Sequence, residues 1–229
     1  MARNVTLSGL RDRIYELGEL REAYVSKTAL REEINQSIAE LYDLVVQADQ
    51  GYYESTDTIT VVSGTASYSL PTDYYKTIGV DVQRSDGSTW INLRRYNHTE
   101  RNKYSNYGGG INREWTEYRV RGGNIVFTPS PTWSGSARHF YIPTPTKLTD
   151  DGDTFDGVAG WDDYVVYDCL VKFVGGKEEG DAAVWQSLFD KAQNRIEQMS
   201  RTRDFGEPST IRDLDEEEAE RLWPRLGPP

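Results

Sequence analysis

The sequence predicts an α+β fold: a bundle of three to four helices drawn from both chain ends, an inserted antiparallel β domain, and an extended C-terminal tail. Three observations predict it. Apolar residues recur at steps of three and four near each end, alternation replaces that period in the middle, and periodicity stops after residue 200. The corresponding segments are 1–50 and 159–200 for the helical part, 51–158 for the β domain and 201–229 for the tail.

Leu30, Ile34, Ile38, Leu41 and Val45 occupy one face of a long helix. Thr28 is its expected N-cap, because a hydroxyl there accepts backbone N–H groups that the first turn leaves open. Glu32 and Glu33 follow near the positive end of the helix dipole. Upstream, Leu7, Leu10, Ile14 and Leu17 predict a shorter helix ending at Gly18.

From Tyr52 the pattern changes to alternating β-branched and polar residues. TDTITVV, a turn at Ser63-Gly64-Thr65 and ASYSL predict a hairpin. YKTIGVDV, a turn at Asp86-Gly87, STWINL, EYRVR, NIVFT and ARHFYIP extend the series. Five of the nine prolines fall in this stretch, and such punctuation of short strands predicts a small sandwich or barrel. NHTERNKY predicts a short helix or turn, and SNYGGGIN a loop.

Helix returns at Trp161. In WDDYVVYDCLVKFV, apolar groups cover most of the circumference, so the helix must be covered on several sides. Trp161, Tyr164, Val165, Leu170 and Phe173 are therefore candidates for packing between subunits. After Gly175-Gly176, Asp181 is placed to cap a last helix with the stripe Trp185, Phe189, Ala192, Ile196 and Met199. The remainder is acidic and Pro-punctuated, a composition that stays extended in isolation. Its end nevertheless carries Leu222, Trp223 and Leu226.

Composition narrows the function. The chain has 229 residues, 26 Lys and Arg against 37 Asp and Glu, 15 Tyr and 6 Trp. A net charge of −11 argues against a general binder of nucleic acid or anionic membranes. Tyr and Trp are favoured where protein surfaces meet. One cysteine, Cys169, excludes an internal disulfide, and no stretch reaches the ~18 apolar residues of a membrane span, so a soluble product of a reducing cytosol is expected. The acid is unevenly spread: residues 51–158 carry 11 basic and 12 acidic groups, whereas 159–200 carry 4 and 8, and 201–229 carry 5 and 8.

Chemistry-bearing motifs are scarce. His98 and His139 lack motif partners, and Cys169 sits in an apolar helix rather than in the electropositive setting of a reactive thiolate. GGKEE at 175–179 lacks the upstream glycine and following hydroxyl of a phosphate loop. Neither a catalytic residue nor a cofactor or metal site is assigned. Asp150, Asp151, Asp153 and Asp156 miss the spacing of a calcium loop and read better as a turn capped by its own carboxylates, with cation binding left open. Arg94, Arg95, Arg101 and Lys103, interleaved with Tyr96, Tyr104 and Tyr107, form the one basic and aromatic stretch. It is open to three readings: a solvated turn, a contact for DNA, or a contact for an acidic protein.

TALREEINQSIAELYDLVVQAD followed by YYESTDTITVVSGTASYSLPTDYYKTIGVDV resembles the adaptor, or head-to-tail connector, proteins of tailed bacteriophages. RRYNHTERNKY fits their basic turn, and YIPTPTKLTDDGDTFDGVAGWDDYVVYDCLVKF fits their strand, loop and last-but-one helix. The resemblance covers most of residues 5–200. It implies a virion protein made in the host cytoplasm. Its copies form a ring, commonly of twelve, beneath the portal protein. That ring docks the tail or nozzle protein and lines a channel that DNA traverses without specific binding during ejection. An acidic lining suits that role, since Lys and Arg would grip the phosphates. By the same resemblance, Leu222, Trp223 and Leu226 insert into a portal groove. Two alternatives remain on the residues alone: a tail or baseplate module binding through its aromatic β domain, and a virion cell-wall hydrolase.

Overall fold

Thr6 opens the first helix by accepting the Gly9 amide on its hydroxyl at 3.1 Å, and Gly18 closes it by donating back to Ile14. The computed structural model describes residues 4–48, 51–84, 86–100, 116–157, 160–174 and 179–201. They form four helices, α1 (Leu7–Leu17), α2 (Lys27–Ala48), α3 (Asp162–Val174) and α4 (Glu179–Arg201). Nine strands accompany them, all paired antiparallel: β1 (Asn4–Thr6), β2 (Ser55–Val61), β3 (Ser67–Ser69), β4 (Tyr74–Gln83), β5 (Trp90–Asn92), β6 (Glu117–Arg121), β7 (Asn124–Thr128), β8 (Gly135–Pro143) and β9 (Thr154–Asp156). The chain is thus α+β.

The apolar stripes read from sequence become one shared core. Leu10 and Ile14 of α1, Leu30, Ile34, Leu41 and Val45 of α2, Val165, Cys169 and Leu170 of α3 and Ile196 of α4 are all buried in it. A fully buried leucine or isoleucine contributes ~1.5–3 kcal/mol, so this cluster dominates the stability of the helical layer. Two helix starts differ from expectation. Ser26, not Thr28, caps α2, its Oγ accepting the Ala29 amide at 3.2 Å. α4 is already helical at Glu179, two residues before Asp181.

The strands make a four-stranded sheet of order β2-β8-β4-β5 and a three-stranded sheet of order β3-β7-β6. Ile59, Val61, Val80, Val82 and Ala137 from the first sheet share a core with Tyr118, Ile125 and Phe127 from the second, which makes the pair a sandwich. The hairpin expected between 55–61 and 67–69 does not form. β2 pairs with β8 and β3 with β7, so the turn at Ser63-Gly64 crosses from one sheet to the other. Tyr68 holds that corner, its hydroxyl accepting the Val62 amide at 2.8 Å. The Asp86-Gly87 turn does join paired strands, with Asp86 Oδ1 accepting the Ser88 and Thr89 amides at 3.0 Å each. The two-stranded ribbon β1-β9, absent from the sequence reading, ties the chain's start to the loop before α3.

The helical layer meets the sandwich at the C-terminal half of α2. Tyr42 and Val46 pack on Ile142 of β8, Tyr42 stacks on Tyr53 with ring centroids 4.2 Å apart, and its hydroxyl donates to the Pro143 carbonyl. Asp43 accepts the Tyr75 hydroxyl at 2.6 Å, which fixes the start of β4 beside α2.

Candidate assembly surfaces

The all-round apolar helix is covered by its own chain on three sides. α1, α2 and α4 all pack on α3, leaving Trp161 at 3%, Tyr164 at 5% and Val165 and Leu170 at 0% exposure, while Phe173 is half-buried. Tyr164 lies against Phe189 at 4.9 Å between ring centroids, and burial pushes its phenol up to about 12. Burial likewise pushes the Cys169 thiol well up, which makes it an inert core group. Of the five residues singled out for packing between subunits, four are therefore occupied within the protomer, and Phe173 retains accessible surface.

Polar positions on α3 are paired rather than solvated. Asp162 and Asp163, in its first turn, hold the Arg13 guanidinium at 3.0 and 2.5 Å. Lys172, one turn beyond Asp168, reaches Asp168 and Glu33 at 2.7 Å each and Glu40 at 3.6 Å. Burial alone would lower the Lys172 ammonium, but the hydrogen bonds to Asp168 and Glu33 carry it above its ordinary value.

The acid-rich loop at 150–156 is occupied by internal donors. Asp153 Oδ2 accepts the Thr149 and Asp150 amides at 2.7 and 2.9 Å, and these bonds hold its carboxyl below the usual range. Asp151 takes a bidentate grip from Arg11 at 2.6 and 3.0 Å, and Asp156 accepts the Tyr52 hydroxyl at 2.7 Å. Among the described residues, three or more His, Cys, Asp or Glu side chains nowhere converge as metal ligands would.

His139 is an interior residue of β8. It is fully buried, with Nε2 3.0 Å from Thr77 Oγ1 and its ring stacked on Tyr141, and burial lowers its basicity. His98 is exposed, and its Nδ1 accepts from Arg119 Nη1 at 3.2 Å.

The basic turn meets the sandwich through a bridge between Arg95 and Tyr118. Arg95 Nη2 donates to the Thr77 carbonyl at 2.8 Å, while Arg94 is exposed. Around Arg95 lies a cleft of about 330 Å³ lined by Tyr74, Lys76, Tyr96, His98, Tyr118 and Arg119, among others. Lys76 and Arg119 were not singled out from the sequence: they stand on different strands, 43 positions apart by 119 − 76, and no motif spacing connects them. Arg101 and Lys103, the tail residues Leu222, Trp223 and Leu226, and the 175–178 part of GGKEE lie outside the described residues.

Among the described residues, these side chains pair, cap and stack with one another across the helical layer and the sandwich. The family model of SU10 adaptor protein matches residues 6–212, spanning all four helices and both sheets. The chain belongs to this family of phage head-to-tail adaptors, and so to the structural proteins of the virion. No curated protein matches the chain in sequence. Among the described residues, no helix is long and apolar enough to cross a membrane.

Proposed function

We propose that this chain is the ring-forming subunit of the head-to-tail junction, seated beneath the portal, docking the tail and lining the passage for DNA during ejection. The observation that carries the reading is the family match along both the helical layer and the sandwich. In this reading residues 1–50 and 159–200 form a bundle, 51–158 an inserted domain and 201–229 an arm. Neighbouring copies, twelve by the family resemblance, pack through the helical layer, where Phe173 retains accessible surface and Leu17 and Val184 are 40% and 56% exposed. The arm seats Leu222, Trp223 and Leu226 in a portal groove, where one buried tryptophan is a typical anchor.

The turn bearing Arg94, Arg95, Arg101 and Lys103 meets an acidic protein surface rather than DNA, since a channel that passes DNA gains nothing by gripping it. In this reading the chain is made in the host cytoplasm and ends in the virion. Sedimentation of the full chain with its cognate portal tests the proposal: co-sedimentation that Trp223→Ala weakens at least tenfold is expected. A chain that stays apart from portal under all salt conditions overturns it.

A further inference from the structure

Three cations of the β region differ from three of the helical layer in one respect. Arg11, Arg13 and Lys172 each hold a carboxylate. Lys76, Arg95 and Arg119, gathered on one cleft, hold none among the described residues: Arg95 spends its donors on a carbonyl and a phenol, and Arg119 on an imidazole. Three cations without a carboxylate partner among the described residues, and three tyrosines, around about 330 Å³ make an anion-binding cleft in a chain of net charge −11. Planar guanidiniums suit carboxylates, and tyrosine hydroxyls add donors.

The same chain carries a matching segment. Residues 213–220, DLDEEEAE, hold six carboxylates in eight positions and lie beyond the described residues and beyond the family match, which ends at 212. Geometry allows the meeting. α4 runs antiparallel to α3, with Trp185 near Tyr167, Phe189 on Tyr164 and the Arg195 guanidinium beside Gly160. Its end at Arg201 therefore emerges on the side where Trp161 meets Tyr52 and where α2 meets the start of β4. Lys76 likewise stands at the start of β4, although successive strand residues face opposite sides of the sheet. The eleven residues 202–212 reach up to ~36 Å when extended, more than the ~33 Å length of α2.

We propose that the acidic segment 213–220 docks in the Lys76, Arg95 and Arg119 cleft of its own chain, holding the arm against the sandwich before assembly. This assignment rests on the reading of the basic turn as an acidic-protein surface and does not depend on the portal reading.

Zero-length carbodiimide coupling of the full chain, read by mass spectrometry, tests it directly. The expected result is a dominant link between Lys76 and the 213–220 segment. Arg119→Glu should reduce that link at least fivefold, as should 1 M NaCl. A 1:1 mixture of light and heavy-isotope chains should give links within one isotope only. Tail carboxylates coupling equally to Lys27, Lys147 and Lys191 overturn the proposal, as do mixed-isotope links. If the tail link is missing but added portal shields Lys76, docking of the tail fails while the acidic-partner reading stands. If duplex DNA shields Lys76 instead, both fail.

Discussion

The helical layer and the sandwich treat charge in opposite ways. In the helices the paired cations sit beside carboxylates: Arg13 spans Asp162 and Asp163, and Lys172 sits among Asp168, Glu33 and Glu40. In the sandwich the cations of the cleft rest on neutral acceptors. The difference teaches which region is internally complete. A network that satisfies itself fixes helix register and offers little to a partner, whereas unneutralised cations stay available to one.

Breaking the helical side should have the largest effect. Leu170→Ala removes a side chain at 0% exposure in the core shared by all four helices, and a loss of ~2–5 kcal/mol in urea unfolding is expected. Lys172→Met should cost less, ~1 kcal/mol after discounting for its solvent-screened position, because it leaves Asp168 and Glu33 facing each other without a cation. A loss at or above that of Leu170→Ala would show that charge, not apolar burial, holds this layer.

The sandwich should answer to pH through His139. Its basicity is lowered by burial, so the folded chain binds the proton less readily than the unfolded one. Stability is then full above the ordinary value of 6.5 and declines as pH falls from there towards the depressed folded value. Thermal unfolding of His139→Gln should lack that decline between pH 6.5 and 5. Smallest of all, Lys76→Glu should shift stability by no more than ~0.5 kcal/mol, since its role is to meet a partner and not to hold the fold.

Much of this was legible in the sequence because periodicity reports burial. The stripe from Leu30 to Val45 and the segments EYRVR and NIVFT appear in the structure almost residue for residue as α2, β6 and β7. Pairing was less legible. Nothing local says that β2 will choose β8, 78 positions away at the Ile59–Ala137 pair, over β3 across a tight turn. The β1-β9 ribbon was missed because each strand has only three residues, too short for alternation to show. Cap positions slipped for a related reason: Ser26 and Thr28 are both competent hydroxyls, and only the backbone decides between them.

Site reading divided along the same line. Asp153 as a turn-capping acid was visible from residue type and spacing. The covering of Trp161 and Leu170 was visible as a need, but not its source, since an apolar circumference does not say whose side chains fill it. The cleft of Lys76, Arg95 and Arg119 was invisible, because two strands and a turn must fold together before those residues share a surface.

The central claim is that this chain works by assembling, and electron microscopy of the full chain mixed with its cognate portal tests it most directly. The account predicts a closed ring of copies seated on one face of the portal ring, with the helical layers in lateral contact and residues from the arm in portal density. Portal rings left bare beside dispersed single copies of the chain would contradict it.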